Sequence, residues 1–117
     1  MPNTPIYKIM TSAEWAIAQA SGFYAGSGDD QNDGFIHFSA PDQVAATAEK
    51  HFAGQDDLML VSVDAGALGE ALKWEPSRGG ALFPHLYGPL DLGAVIEAQQ
   101  LPLGDDDRHQ FPVTIKT

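Results

Sequence analysis

Cysteine is absent from this 117-residue chain. That excludes disulfides, thiolate metal ligands and thiol nucleophiles together, and it fits a reducing compartment. Basic residues are scarce. Six lysines and arginines stand against 16 aspartates and glutamates, for a formal net charge of −10. Such a surface repels phosphate backbones and anionic lipid. Duplex nucleic acid and membranes are therefore not expected as partners, while a small molecule in a local cleft is; nothing points to a particular partner protein. Long apolar runs are missing too. The longest, residues 58–63, is strand-sized, and residues 1–5 carry neither a basic nor an apolar leader pattern. The expected location is the cytoplasm. Gly-x-x-x-x-Gly-Lys, Gly-x-Gly-x-x-Gly and Gly-x-Ser-x-Gly do not occur, nor does His-x-His or His-x-x-x-His. The common phosphate-cradling loops, the serine hydrolase elbow and metal-ligand spacing are thus missing, and no metal is expected.

What is present reads as one domain over residues 1–117. Residues 6–10 form a first strand. Thr11 and Glu14 make a capping box that opens a helix to Ala20, with Trp15, Ile17, Ala18 and Ala20 available for packing and Gly22 as its end. Residues 25–34 are polar and glycine-rich and read as a mobile loop. Residues 35–39 form a strand. Ser39 caps a second helix with Pro41 in its first turn, Asp42 at its third position and a buried stripe of Val44, Ala48 and Phe52. Residues 58–64 are apolar almost throughout, which suits a central strand covered on both faces. Residues 67–72 are a short helix or turn, and 73–80 are irregular. Residues 83–87 are extended, at an edge or in a loop because Pro84 lacks a backbone donor. Strands at 94–99 and 111–117 flank an acidic turn at 104–109. The order predicts a compact α+β domain.

Alternation along residues 35–39 puts Ile36 and Phe38 on the core face, with Phe35, His37 and Ser39 opposite. In the same way His85 and Tyr87 share a face with Phe83, and Leu86 points away. Two strands thus each offer a histidine beside a hydroxyl, groups that can bind ribose hydroxyls or move a proton near neutral pH. A lone strand histidine is more often structural; two in one cleft favour a site. His51 and His109 are expected in solvent. The stretch Lys73-Trp74-Glu75-Pro76-Ser77-Arg78-Gly79-Gly80 adds further candidates. Trp74 can pack under a ligand ring, Glu75 can orient a hydroxyl, and Arg78 can fork onto a phosphate or carboxylate.

Asp33-Gly34-Phe35-Ile36-His37-Phe38-Ser39, His51-Phe52-Ala53-Gly54-Gln55, Trp74-Glu75-Pro76-Ser77-Arg78-Gly79-Gly80 and Phe83-Pro84-His85-Leu86-Tyr87-Gly88 together resemble the bacterial domain of unknown function 952 family. The resemblance runs from the first strand to about Val95. It implies a fold of ADP-ribosyltransferase and RNA 2′-phosphotransferase type, with short mixed or antiparallel sheets and two to three helices. By that resemblance His37 falls where an aromatic side chain stacks near nicotinamide. Lys8 falls at a ribose contact where a histidine is usual, and the catalytic glutamate is Glu75 or Glu97. NAD is then a possible cofactor.

The first functional expectation is a transferase using an NAD- or ADP-ribose-type nucleotide. His37, His85, Tyr87 and Glu75 would be catalytic; Lys8, Ser39, Trp74 and Arg78 would bind ligand. The second is a non-catalytic module that binds a nucleotide-like metabolite in the same cleft, and a third is a histidine-based metal hydrolase.

Overall fold

The computed structural model describes residues 5–76, 80–105 and 108–111, with Asp29 described for its backbone alone. Three antiparallel sheets carry the chain. β1 (Pro5–Thr11) and β8 (Val95–Leu101) flank β4 (Leu58–Asp64), which is the central strand that its unbroken apolar character predicts. β3 (Ile36–His37) and β5 (Leu72–Pro76) flank β6 (Leu82–Leu86) in a second sheet. β2 (Phe23–Tyr24) and β7 (Leu90–Asp91) form a two-stranded pair that the sequence did not announce. Both of its strands are two residues long, too short for an alternating pattern.

Among the described residues, three α-helices connect these strands. α1 (Ser12–Ser21) starts at the predicted capping box, with Thr11 Oγ1 accepting from Glu14 N at 3.0 Å, and ends on left-handed Gly22. Ala18 is buried and Trp15 packs on the core, whereas Ile17 is 70% exposed and Ala20 also faces solvent. α2 (Gly28–Asp33) replaces the predicted loop at 25–34. Its polar residues hide it from any hydrophobic pattern, but Ser27 and Asp30 form a reciprocal capping box and Gly34 closes it with φ 85°. α3 (Val44–His51) buries Val44 and Ala48, with Phe52 packed beside them.

Ser39 does not cap α3. Its backbone is committed to an antiparallel bridge with Tyr7, both N–H···O bonds at 2.8 Å, so the chain is still extended there. The turn that follows is held by Gln43, whose Oε1 accepts from Ala40 N at 2.9 Å and whose Nε2 donates to Leu82 O at 2.8 Å.

Residues 72–76 form β5 rather than an irregular stretch, and β6 is central rather than an edge. Pro84 is tolerated there for a local reason. Its carbonyl accepts from Phe38 N at 2.9 Å, just past the two-residue pairing with β3. The missing donor thus falls where that pairing ends. The expected strand at 111–117 lies, beyond Phe111, outside the described residues.

The core has two parts, one on each face of the β1–β4–β8 sheet. Tyr7, Ile9, Leu58 and Leu60 pack under α3, while Ile6, Met10, Val61 and Val63 pack with Ile36, Phe38 and Leu86 of the second sheet. By strand alternation Lys8 shares the face of Ile6 and Met10. A lysine is thereby carried to the edge of the core, where the site forms.

Candidate functional site

Lys8 is 8% exposed, and a buried ammonium needs a partner. It finds one in Asp30, which is 2% exposed, with Nζ to Oδ2 at 2.8 Å. The same carboxylate accepts from Ser27 N at 3.0 Å and His37 N at 3.1 Å, and its Oδ1 lies 2.6 Å from His37 Nδ1. Burial opposes the charge on Asp30. The Lys8 ammonium, its hydrogen bond, and those of His37 and Ser27 outweigh burial and hold the carboxyl below the ordinary carboxylate range.

His37 Nε2 meets Asp33 Oδ2 at 2.9 Å, so both ring nitrogens face carboxylates. A neutral imidazole can donate to only one of them; an imidazolium donates to both. Nothing in the sequence reading singled out Asp30. The usable signal was the Ser27-x-x-Asp30 spacing before Gly34, which predicts a capped turn and hence an inward carboxylate.

His85 pairs with His37 across β3 and β6, their ring centroids 5.4 Å apart. It is 4% exposed. Its Nδ1 lies 2.9 Å from Glu75 Oε1, the oxygen that also accepts from Tyr87 Oη at 2.7 Å. The hydrogen bonds from His85 and then Tyr87 lower the Glu75 pKa, and the Tyr87 phenol is raised by the same bond to Glu75. An ionised carboxylate only accepts, so Nδ1 carries hydrogen. His85 Nε2 is buried and has no hydrogen-bond partner among the described residues. Phe35 completes the cluster. Its ring lies edge-on to His85 at 4.1 Å and stacks on Tyr87 at 5.2 Å.

Beside this cluster is an open cleft of about 670 Å³, lined by Lys8, Asp30, Asp33, His37, Ser39 and His85 among others. Ser39 Oγ bonds Thr47 Oγ1, also in its lining, at 2.8 Å. The expectation that His37, His85 and Tyr87 line one pocket is corrected in part. The histidines line the cleft; Tyr87 and Glu75 stand behind His85, joined to it by hydrogen bonds. Trp74 does not join. It lies on the opposite face of β5 from Glu75, opposite Pro84 and largely exposed.

Glu97 is on β8, exposed, and its carbonyl accepts from Ser62 Oγ. Of the two candidate glutamates, Glu75 is therefore the one beside the histidines. Arg78 lies outside the described residues. His51 is exposed at the cleft wall, while His109 is half-buried and bonds Gln55 O through Nε2 at 2.8 Å rather than standing in solvent. Among the described residues, no three His, Cys, Asp or Glu side chains could hold a metal ion.

The family model described as "Protein of unknown function (DUF952)" matches residues 9–98, well over half of the chain. The chain belongs to the DUF952 family. Its fold agrees with that of a relative, protein CC0527 from Caulobacter crescentus. The crystal structure of that protein is 52% identical with a TM-score of 0.88, and the match covers 92% of this chain and 94% of that one. The solution NMR structure gives 52% identity and a TM-score of 0.82 over 91% of each chain. No curated protein matches the DUF952 chain described here. Among its described residues, no helix is long and apolar enough to cross a membrane.

Proposed function

We propose that this DUF952 chain is a transferase of ADP-ribosyl type, acting on an NAD- or ADP-ribose-like nucleotide in the His37/His85 cleft. The observation that carries the reading is His85, which Glu75 holds through Nδ1 while its buried Nε2 has no hydrogen-bond partner among the described residues. Such an atom accepts a proton from a hydroxyl brought to it.

In the transfer, the C1′–N bond of the ribosyl nucleotide breaks with both electrons leaving on the ring nitrogen. The acceptor oxygen bonds to C1′, and its proton passes to Nε2 of His85. Glu75 and Tyr87 act as positioning residues, and His37 lines the cleft beside His85. The ADP-ribosyltransferase-like fold belongs to the same proposal, supported by the resemblance of the Gly34-Phe35-Ile36-His37-Phe38-Ser39 strand; the small-molecule partner is supported by the cleft, and the cytoplasmic setting by the missing cysteine.

A second reading has its own support. Lys8, Asp30, His37 and Asp33 are already bonded to one another, which suits a rigid binding module without turnover. Incubation with NAD and chromatography of released nicotinamide separates the two. Slow release, lost by about 10²-fold or more in His85→Ala, supports the transferase. Saturable binding with no release for any acceptor supports the module. Failure of NAD, ADP-ribose and 2′-phosphorylated nucleotides to bind at millimolar concentration sinks both.

A further inference from the structure

Resting on the ribosyl reading above, we infer that the cleft selects the cationic N-riboside end of its ligand and leaves the ligand's phosphates outside. Among the described residues, Lys8 is the one lysine or arginine lining it, and its ammonium is committed to Asp30 at 2.8 Å. Glu14, Asp30 and Asp33 line it as carboxylates. Three carboxylates still outnumber two cations when His37 carries a second proton, and the whole chain is at −10.

Placing a diphosphate beside these groups costs repulsion, which is strongest at low salt because the cleft is open. A pyridinium riboside meets the opposite situation. Its ring carries a positive charge, and the two imidazoles line the cleft, with the half-buried Phe35 packed against both. The field also suits the reaction. As the C1′–N bond breaks, positive charge moves from the ring to the ribose and stays among the same carboxylates, so stabilisation persists into the transition state.

Calorimetric titration with nicotinamide riboside, its neutral dihydro form, nicotinamide mononucleotide and NAD tests this, at low and at physiological salt. The riboside cation is expected to bind about tenfold tighter than the dihydro form. The 5′-phosphate is expected to weaken binding, and salt to weaken the cation's advantage. Asp33→Asn, at a half-exposed position, is expected to shrink that advantage while the protein stays folded. Equal binding of the cation and dihydro forms, or tighter binding of the phosphorylated compounds, overturns the inference and leaves the transferase reading standing. Loss of mononucleotide affinity in Arg78→Ala alone overturns it too, by assigning a phosphate contact to that side chain. The expected ranking without turnover upholds the charge selection and overturns the transferase. Binding of none of the four removes both.

Discussion

At Asp30 one buried carboxylate serves an ammonium, an imidazole and two backbone donors. Converting it to an amide leaves Lys8 buried without a counter-charge. Removing one partner of a buried pair costs about 3–5 kcal/mol. Asp30→Asn is therefore expected to lower unfolding free energy by that order in urea titration, and Lys8→Met added to it should recover part of the loss. An equal cost in the single and double variants would mean that the pair is not what suffers. At His85 the expectation is spectroscopic. Glu75 fixes hydrogen on Nδ1, so ¹⁵N-detected imidazole spectra should show Nδ1–H in the wild type and a mixture of tautomers in Glu75→Ala. Tyr24 is the opposite case, with a buried hydroxyl that has no partner among the described residues. Tyr24→Phe removes an unsatisfied group and little else, so it should leave stability unchanged or raise it slightly. A clear loss in thermal melting would reveal a bond to that oxygen.

Helix α2 is the element on which the cleft turns, because it delivers both Asp30 and Asp33. Six residues without one apolar side chain do not sustain a helix alone. Its capping box and the burial of Asp30 against Lys8 hold it, and those links are respectively local and distant in sequence. This explains what was legible. β1, α1 and β4 declared themselves through apolar pattern and the Thr11–Glu14 box, and alternation correctly put His37 and His85 on non-core faces. α2 was hidden because its stabilising contact, Lys8 to Asp30, is tertiary. β5 was hidden because Lys73-Trp74-Glu75-Pro76 has no apolar alternation and owes its strand form to pairing with β6. Ser27→Ala should cost about 1 kcal/mol by removing the N-cap, with faster amide hydrogen exchange across 28–34. Gly26→Ala should cost more. Its φ is 100°, and an added Cβ would sit 2.7 Å from Asp30 Cβ. If Gly26→Ala leaves exchange in α2 unchanged, the approach of that backbone to Asp30 is looser than described.

Across the whole molecule, the acidic surface and the internal pairs combine into a stability profile with two limbs. On the acid side the relevant carboxyls are Asp30 and Glu75, both with folded pKa values below the ordinary one, Asp30 through Lys8 and His37 against the cost of burial, Glu75 through His85 and Tyr87. A depressed folded pKa gives stability that is fully present above the unfolded value of about 4. As pH falls below that value the unfolded chain takes up protons first, and the contribution is lost until pH passes the folded pKa. On the alkaline side the phenols govern. Tyr24 is raised by burial and then by Glu14 and Asp30, Tyr7 by burial and then by Glu97. Their contribution is present below the unfolded value of about 10 and is lost as pH rises through the folded one. Urea unfolding at a series of pH values should therefore show a plateau from about 5 to 9 attributable to these groups, with a fall on each side. Asp30→Asn should flatten the acid limb and leave the alkaline limb steep, and Tyr24→Phe should do the reverse. A variant profile parallel to the wild type over the whole range would show that neither group titrates differently in the folded and unfolded chains.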